Sequence, residues 1–332
     1  MIRSIAWKLG ASALDETEDA LPTMDNGSFV WVDLSEATEE EEDRVFREAF
    51  PVHPLTLEDI NRQRRLPEQG AHLPKVEEFA DYLFIITNPL PVPDADGRTR
   101  FARRTRPQLS AILTNHLLIT CHDRKLPCVD KVWQYVGRHE SCLGRGPDYL
   151  FHLILDEMVD EYAPVVEALA DRLDRIERQI FTRPCQELLT RMLRLKRQVS
   201  FLRKTLILER ELLARLTRRE FALIDEREMV YYRNVYDHVI RYADLVENGR
   251  DMVSDLMQTH LAATSNRLNE VMKLLTMFSA IVLPMSLVAG IYGMNFEVLP
   301  ETKWTYGYPF ALGLMAIMGL IGFFFFRWKR WL

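Results

Sequence analysis

Over roughly the first 150 positions, apolar residues come in short runs rich in β-branched and aromatic side chains, separated by polar clusters. Ser28–Leu34, Tyr82–Thr87, Leu109–Leu113 and Leu117–Cys121 have the length and composition of strands. Residues 1–150 are therefore expected to form an α/β domain. Thr38, with Glu41 three positions on, has the spacing of a capping box at the head of a helix. Pro89, Pro91, Pro93, Asp94 and Gly97 mark a surface loop.

The texture changes near Asp148. Asp156 to Arg178 carries eight acids against three bases at helical spacings, which predicts a helix with an anionic face, kinked at Pro164. After Pro184 no proline occurs until Pro284, and Gly249 is the only glycine in that interval. Such a stretch is helical, with a turn near Arg219–Asp225. A single helix from Met229 to Ile291 would be about 95 Å long, of which roughly a third fits a membrane and the rest is a stalk. Tyr232, Val235, Val239, Tyr242, Val246, Gly249, Val253 and Leu256 repeat at alternating three- and four-residue steps. This seam suits a coiled coil, packing on the chain's own acidic hairpin, or both.

Two runs near the end lack formal charge, Leu274–Phe296 and Trp304–Phe326, each of 23 residues. A spanning helix needs about 20 apolar residues, so both qualify, and the seven residues between them allow only a hairpin. The expected architecture is an α+β cytoplasmic domain (1–150), a long α-helical stalk (151–271) and a transmembrane hairpin (272–332). The two membrane helices are placed at about 273–293 and 307–326. Arg327, Lys329 and Arg330 at one end, with Lys273 on the same side, set the orientation by the positive-inside rule. Both termini are expected in the cytoplasm and the hairpin in the cell inner membrane. Trp304, Tyr306 and Tyr308 would form the outer aromatic belt.

Composition narrows the function. The net charge of −6 excludes the basic excess of a nucleic-acid binder. Cys121, Cys128, Cys142 and Cys185 form no C-x-x-C pair, which suits free thiols in a reducing compartment. His116, Cys121, His122 and Cys128 lie close enough in sequence to be weighed as a soft-metal site, or as ordinary core and surface residues. No P-loop, G-x-S-x-G or zinc-protease pattern occurs, so an enzyme is not expected. No cofactor is expected either.

A second heptad-spaced stripe runs through the first membrane helix: Asn269, Met272, Thr276, Ser279, Leu283, Ser286 and Gly290. It is small and polar for a helix in lipid. Tight helix packing would explain it, and so would a water-filled pore enclosed by a ring of subunits. Mg²⁺ gives up its water reluctantly, so a pore offering amide and carbonyl oxygens suits the hydrated ion. At the outer end, Gly293, Met294 and Asn295 either end the helix or present an amide oxygen to an ion.

Tyr292-Gly293-Met294-Asn295-Phe296, a short acidic-to-aromatic connector and a second helix with a basic, tryptophan-containing tail resemble the CorA family of magnesium channels. Ser265–Lys273 is similar to the family's approach to the pore helix, and Trp31-Val32-Asp33-Leu34 to a stretch near its N-terminus. The resemblance is strong over about 265–332 and looser elsewhere. It implies a homopentamer that passes divalent cations, chiefly Mg²⁺ with Co²⁺ or Ni²⁺, down the membrane potential. It also implies a selectivity filter of Gly293, Met294 and Asn295 and a pore lined by Asn269, Met272, Leu275, Leu283 and Ser286. The family pattern favours Leu275 where the heptad stripe selects Thr276, a difference that helical drift explains.

Family resemblance further implies gating by cytoplasmic Mg²⁺ held on stalk acids. The aligned stalk position is Gln258, not an acid. Asp244, Glu247, Asp251 and Asp255 share one helix face; Asp251 and Asp255 are the candidate regulatory ligands, and a solvated face paired with Arg241 and Arg250 is the alternative. The competing functions are a Zn²⁺, Co²⁺ or Ni²⁺ transporter of the same superfamily and a non-conducting, membrane-tethered coiled-coil scaffold.

Overall fold

The structure is a computed structural model. It describes residues 1–8, 15–18, 28–65, 68, 70–91, 106–139, 144–182, 186–294 and 304–331. Contacts divide the chain into two compact units. The first comprises Met1–Arg178 and Gln186–Leu256, and the second Gln179–Cys185 and Met257–Leu332.

A seven-stranded sheet organises the first unit. Its strands are β1 (Ile2–Lys8), β2 (Asp15–Glu18), β3 (Ser28–Ser35), β4 (Lys75–Glu78), β5 (Leu83–Thr87), β6 (Leu109–Leu113) and β7 (Leu117–His122). Their order is β2-β1-β3-β7-β6-β5-β4, and every neighbouring pair is antiparallel except β3 with β7. The four strands expected from sequence form here, and β1, β2 and β4 add to them. Every residue of β5, β6 and β7 is buried, the mark of a sheet covered on both faces. On one face Val30, Val32, Leu34, Phe84, Ile86 and Ile119 pack with Val45 and Phe46, and with Leu57 and Ile60 of α2 (Pro54–Arg65). Just before it, α1 (Glu39–Asp43) has the expected capping box, Thr38 with Glu41. Next to β3, β6 and β7 lies α4 (Pro147–Asp160), beside α3 (Pro127–Arg138).

Three further helices contribute to this unit: α5 (Tyr162–Thr182) as far as Arg178, α6 (Gln186–Leu216) and the first part of α7 (Met229–Tyr292). The acidic run does not make one kinked helix. It breaks at Glu161 between α4 and α5, leaving Pro164 in the first turn of α5. Proline lacks an N–H and its ring crowds the carbonyl four residues back, here that of Asp160. The turn expected near Arg219–Asp225 lies between α6 and α7, where Arg219 takes a φ of 57°.

The heptad seam of α7 is satisfied within the chain. Tyr232, Val235, Val239, Tyr242, Val246, Val253 and Leu256 are all buried. Gly249 brings the backbone onto α5, where a Cβ would sit 3.5 Å from Leu169 Cδ2 and 3.6 Å from Leu173 Cδ1. A matching series, Leu188, Met192, Leu195, Val199, Leu202 and Leu206, is buried along α6. Arg172 bonds Gln198 across α5 and α6, and Arg203 pairs with Glu247 across α6 and α7. Packing on the chain's own hairpin is therefore found within the single chain.

In the second unit, α7 continues to Tyr292 and α8 covers Gly307–Trp328. Both helices are long and apolar enough to cross a membrane. Proline at 284 leaves the Ala280 carbonyl without its helical donor, yet α7 continues through it. The two helices meet at small residues of α8. A Cβ at Gly319 would lie 3.1 Å from Met285 Cε, and one at Gly322 would lie 2.9 Å from Ile281 Cγ1. At the charged end Lys273 Nζ sits 5.6 Å from the centre of the Trp331 ring.

Candidate functional site

Which face of α7 could line an ion path follows from its contacts with α8. Met277 and Val288 are buried, and Ile281 and Met285 meet the glycines of α8. Successive residues turn by about 100° around an α-helix. On that wheel Asn269, Met272, Leu275, Ser279, Leu283 and Ser286 centre about 180° from the α8-facing set. In the single chain Met272, Leu275 and Leu283 are 58%, 57% and 67% exposed, and Asn269 and Ser286 are exposed with Ser279 half-buried. Thr276 also lies on this side, and its hydroxyl donates to the Met272 carbonyl at 2.7 Å.

The flanks between these faces differ from both. Val271, Phe278 and Val282 line one flank and Ile291 the other, all exposed in the single chain. Two unlike apolar flanks suit head-to-tail contacts that close into a ring. The face turned from α8 combines hydroxyls and an amide with three bulky apolar side chains and carries no formal charge. Such a surface can touch a hydrated cation through oxygen, and it can exclude water where the apolar residues converge.

At the outer end of α7, the Gly293 N–H donates to the Ala289 carbonyl at 3.0 Å and that of Met294 to Ile291 at 3.3 Å. A Cβ at 293 would meet the Ala289 oxygen at 3.1 Å, so this close backbone approach favours glycine. Met294 is exposed. Asn295 lies outside the described residues.

On the stalk, Arg250 pairs with Asp251 at 2.7 Å and with Glu247 at 2.8 Å, and Glu247 also pairs with Arg203. Arg241 instead bonds and stacks on Tyr242. Asp244, Asp251, Asp255 and Gln258 are exposed. The structure does not gather the soft-metal candidates. His116 packs on Phe29, and the Cys121 and Cys128 thiols are buried, with burial pushing Cys128 well above the usual thiol range. Among the described residues, no group of three or more His, Cys, Asp or Glu side chains is placed to hold a metal ion within one chain.

His122 has a structural role that its sequence position did not reveal. Its Nδ1 lies 2.7 Å from the Arg124 carbonyl and its Nε2 3.1 Å from Asp33 Oδ1. Both neighbours are acceptors, so both ring nitrogens carry protons and the ring is an imidazolium. Asp33, fully buried, also accepts from Thr120 at 2.5 Å and from Arg3 at 2.8 Å, while Arg3 reaches Asp130 at 2.7 Å. Burial opposes charge on both His122 and Asp33. Their mutual attraction and hydrogen bonds outweigh it, raising His122 and lowering Asp33.

Comparison with known proteins shows the family. The profile of the CorA-like Mg2+ transporter protein family matches residues 26–330. The cobalt/magnesium transport protein CorA of Thermotoga maritima is 35% identical, over 96% of this chain and 87% of its own. The magnesium transport protein CorA of Yersinia pseudotuberculosis is 26% identical, over 98% and 97%. The structure of the CorA magnesium transporter from Methanocaldococcus jannaschii superposes with a TM-score of 0.81 at 22% identity, covering 99% of this chain and 98% of that one.

Proposed function

This chain belongs to the CorA-like Mg²⁺ transporter family, and on that premise we propose that it is one of five subunits of a channel for hydrated Mg²⁺. Co²⁺ and Ni²⁺ are its further cargo. The hairpin of α7 and α8 lies in the cell inner membrane with both termini in the cytoplasm. Lys273, Arg327, Lys329 and Arg330, all at one end of the hairpin, support that orientation. The driving force is the membrane potential, worth about 4.6 kcal/mol per 100 mV for a divalent ion.

One observation carries the reading: the charge-free face of α7 that combines hydroxyls and an amide with Met272, Leu275 and Leu283 is the face turned away from α8. In a ring, α8 then lies outside and this face lines the path. Asn269, Ser279 and Ser286 offer oxygens to the hydration shell. Gly293, Met294 and Asn295 form the outer filter. Met272, Leu275 and Leu283 form the gate, because a ring of such side chains can empty a narrow pore of water. Asp251 and Asp255 hold regulatory Mg²⁺ between neighbouring subunits, which relieves the repulsion of like charges along one helix face.

Substitution at Leu283 tests the path. Leu283→Asn should raise Mg²⁺ flux into liposomes and weaken its shut-off by internal Mg²⁺, whereas Leu283→Ile should change little. Equal conduction by the two variants would mean that wetting does not control the barrier and that Leu283 does not line it.

A further inference from the structure

Asn88, at the end of β5, is gripped on both sides of its backbone by helices. Its N–H donates to Glu209 Oε1 of α6 at 2.7 Å, and its carbonyl accepts from Tyr162 Oη of α5 at 2.8 Å. All three residues are buried, Glu209 completely. Among the described residues, the second oxygen of Glu209 has no hydrogen-bond partner, and neither has the hydroxyl of Thr87.

An ionised Glu209 would keep a bare oxygen in a dry site, which is costly. A protonated one leaves a neutral group there instead, which costs less to bury than a charge. The ionisable groups around it are few. Arg106, whose guanidinium lies 4.6 Å from the Phe201 ring of α6, favours the charged form. From α5, Tyr162 is held neutral by burial, and Glu161 is pushed up to about 7 by burial and by Glu157 against the pull of Lys131. Cys128 of α3, close enough to influence Tyr162, is a neutral thiol.

We propose that Glu209 is a proton-held clasp: its neutral carboxyl fastens α6 to the end of β5, and loss of the proton to solvent loosens α6 from the sheet. Burial pushes Glu209 up to about 8, opposed by the Asn88 N–H and by Arg106. Opening exposes the side chain to water, where its ordinary value is 4.5. Between those values the closed form keeps its proton and the open form releases it. Closure is therefore fully favoured below 4.5, weakens as pH rises, and levels off above 8.

Hydrogen–deuterium exchange of the full chain in detergent micelles, read on peptides spanning residues 83–90, tests the clasp. After correction for intrinsic base catalysis, protection at Asn88 should fall by up to about tenfold per pH unit between 6 and 8 and then level. Glu209→Gln, which keeps an acceptor and a donor without titrating, should show no such slope. A slope that survives in Glu209→Gln, or a flat wild type, overturns the proposal. If that variant does not fold, an infrared titration of Glu161→Gln, in which Glu161 no longer contributes, replaces it. A buried protonated-carboxyl band should then vanish near pH 8, and its absence at pH 6 overturns the proposal equally.

Discussion

Replacing Gly322 by Ala probes how closely α8 lies on α7. The added Cβ would stand 2.9 Å from Ile281 Cγ1, 3.8 Å from Cδ1 and 3.9 Å from Cβ. Carbon atoms rest at about 3.5–4.0 Å, so the first contact is short by roughly 0.6 Å or more. A β-branched side chain in a helix has essentially one χ1 rotamer, so Cγ1 cannot swing aside and the helices must part. Overpacking of this kind costs about 1–3 kcal/mol. Gly319→Ala should cost less, because the atom it meets, Met285 Cε at 3.1 Å, ends a flexible chain. Gly313→Ala, with nothing within 4 Å of its Cβ position, should be neutral or slightly stabilising. Thermal unfolding of the detergent-solubilised protein ranks the three. A cycle with Ile281→Ala isolates the contact: the double variant should be less destabilised than the sum of the singles by about 1 kcal/mol or more. Strict additivity, or a Gly322→Ala as stable as Gly313→Ala, would refute the packing.

Two further outcomes follow from unit 1. The raised His122 contributes stability that is complete below its ordinary 6.5 and is lost as pH rises through its folded value; the lowered Asp33 contributes stability present above 3.8 and lost as pH falls through its folded value. Melting temperature against pH should therefore fall beyond each of those limits, and His122→Gln should lessen the alkaline decline, to which Glu209 also contributes; an unchanged decline in that variant would assign it elsewhere. Mg²⁺ should protect the stalk of the wild type from protease, and Asp251→Asn with Asp255→Asn should remove that protection, whereas unchanged protection would leave the two acids a solvated face paired with Arg250.

Much of this was legible in the sequence because it rests on periodicity. The two charge-free runs, the strands expected over Tyr82–Thr87 and Leu117–Cys121, and the capping box at Thr38 depend on local pattern, and the strands form within one residue of the expected bounds. The α7 seam was equally visible, but a heptad does not say what fills it. Only the contact of Gly249 with Leu169 and Leu173 places the filling within the same chain. The edge strands β2 and β4 escaped notice because Asp15–Glu18 and Lys75–Glu78 are mostly charged, and pairing with a neighbour overrides their weak propensity. The partners of Asp33 and Glu209 lie 87 and 121 positions away, beyond the reach of any local signal. The stripe on α7 was chosen for being small and polar. Its place opposite α8 needed Gly319 and Gly322, whose spacing alone does not name the residues they meet.

Flux into liposomes under an imposed potential, inside negative and without ATP, tests the central claim most directly. The wild type should admit Mg²⁺, with Co²⁺ and Ni²⁺ competing, and Asn295→Ala should assemble normally yet admit none. A wild type that moves Zn²⁺ but not Mg²⁺, one that moves no ion, or an assembled Asn295→Ala with normal Mg²⁺ flux would contradict the account.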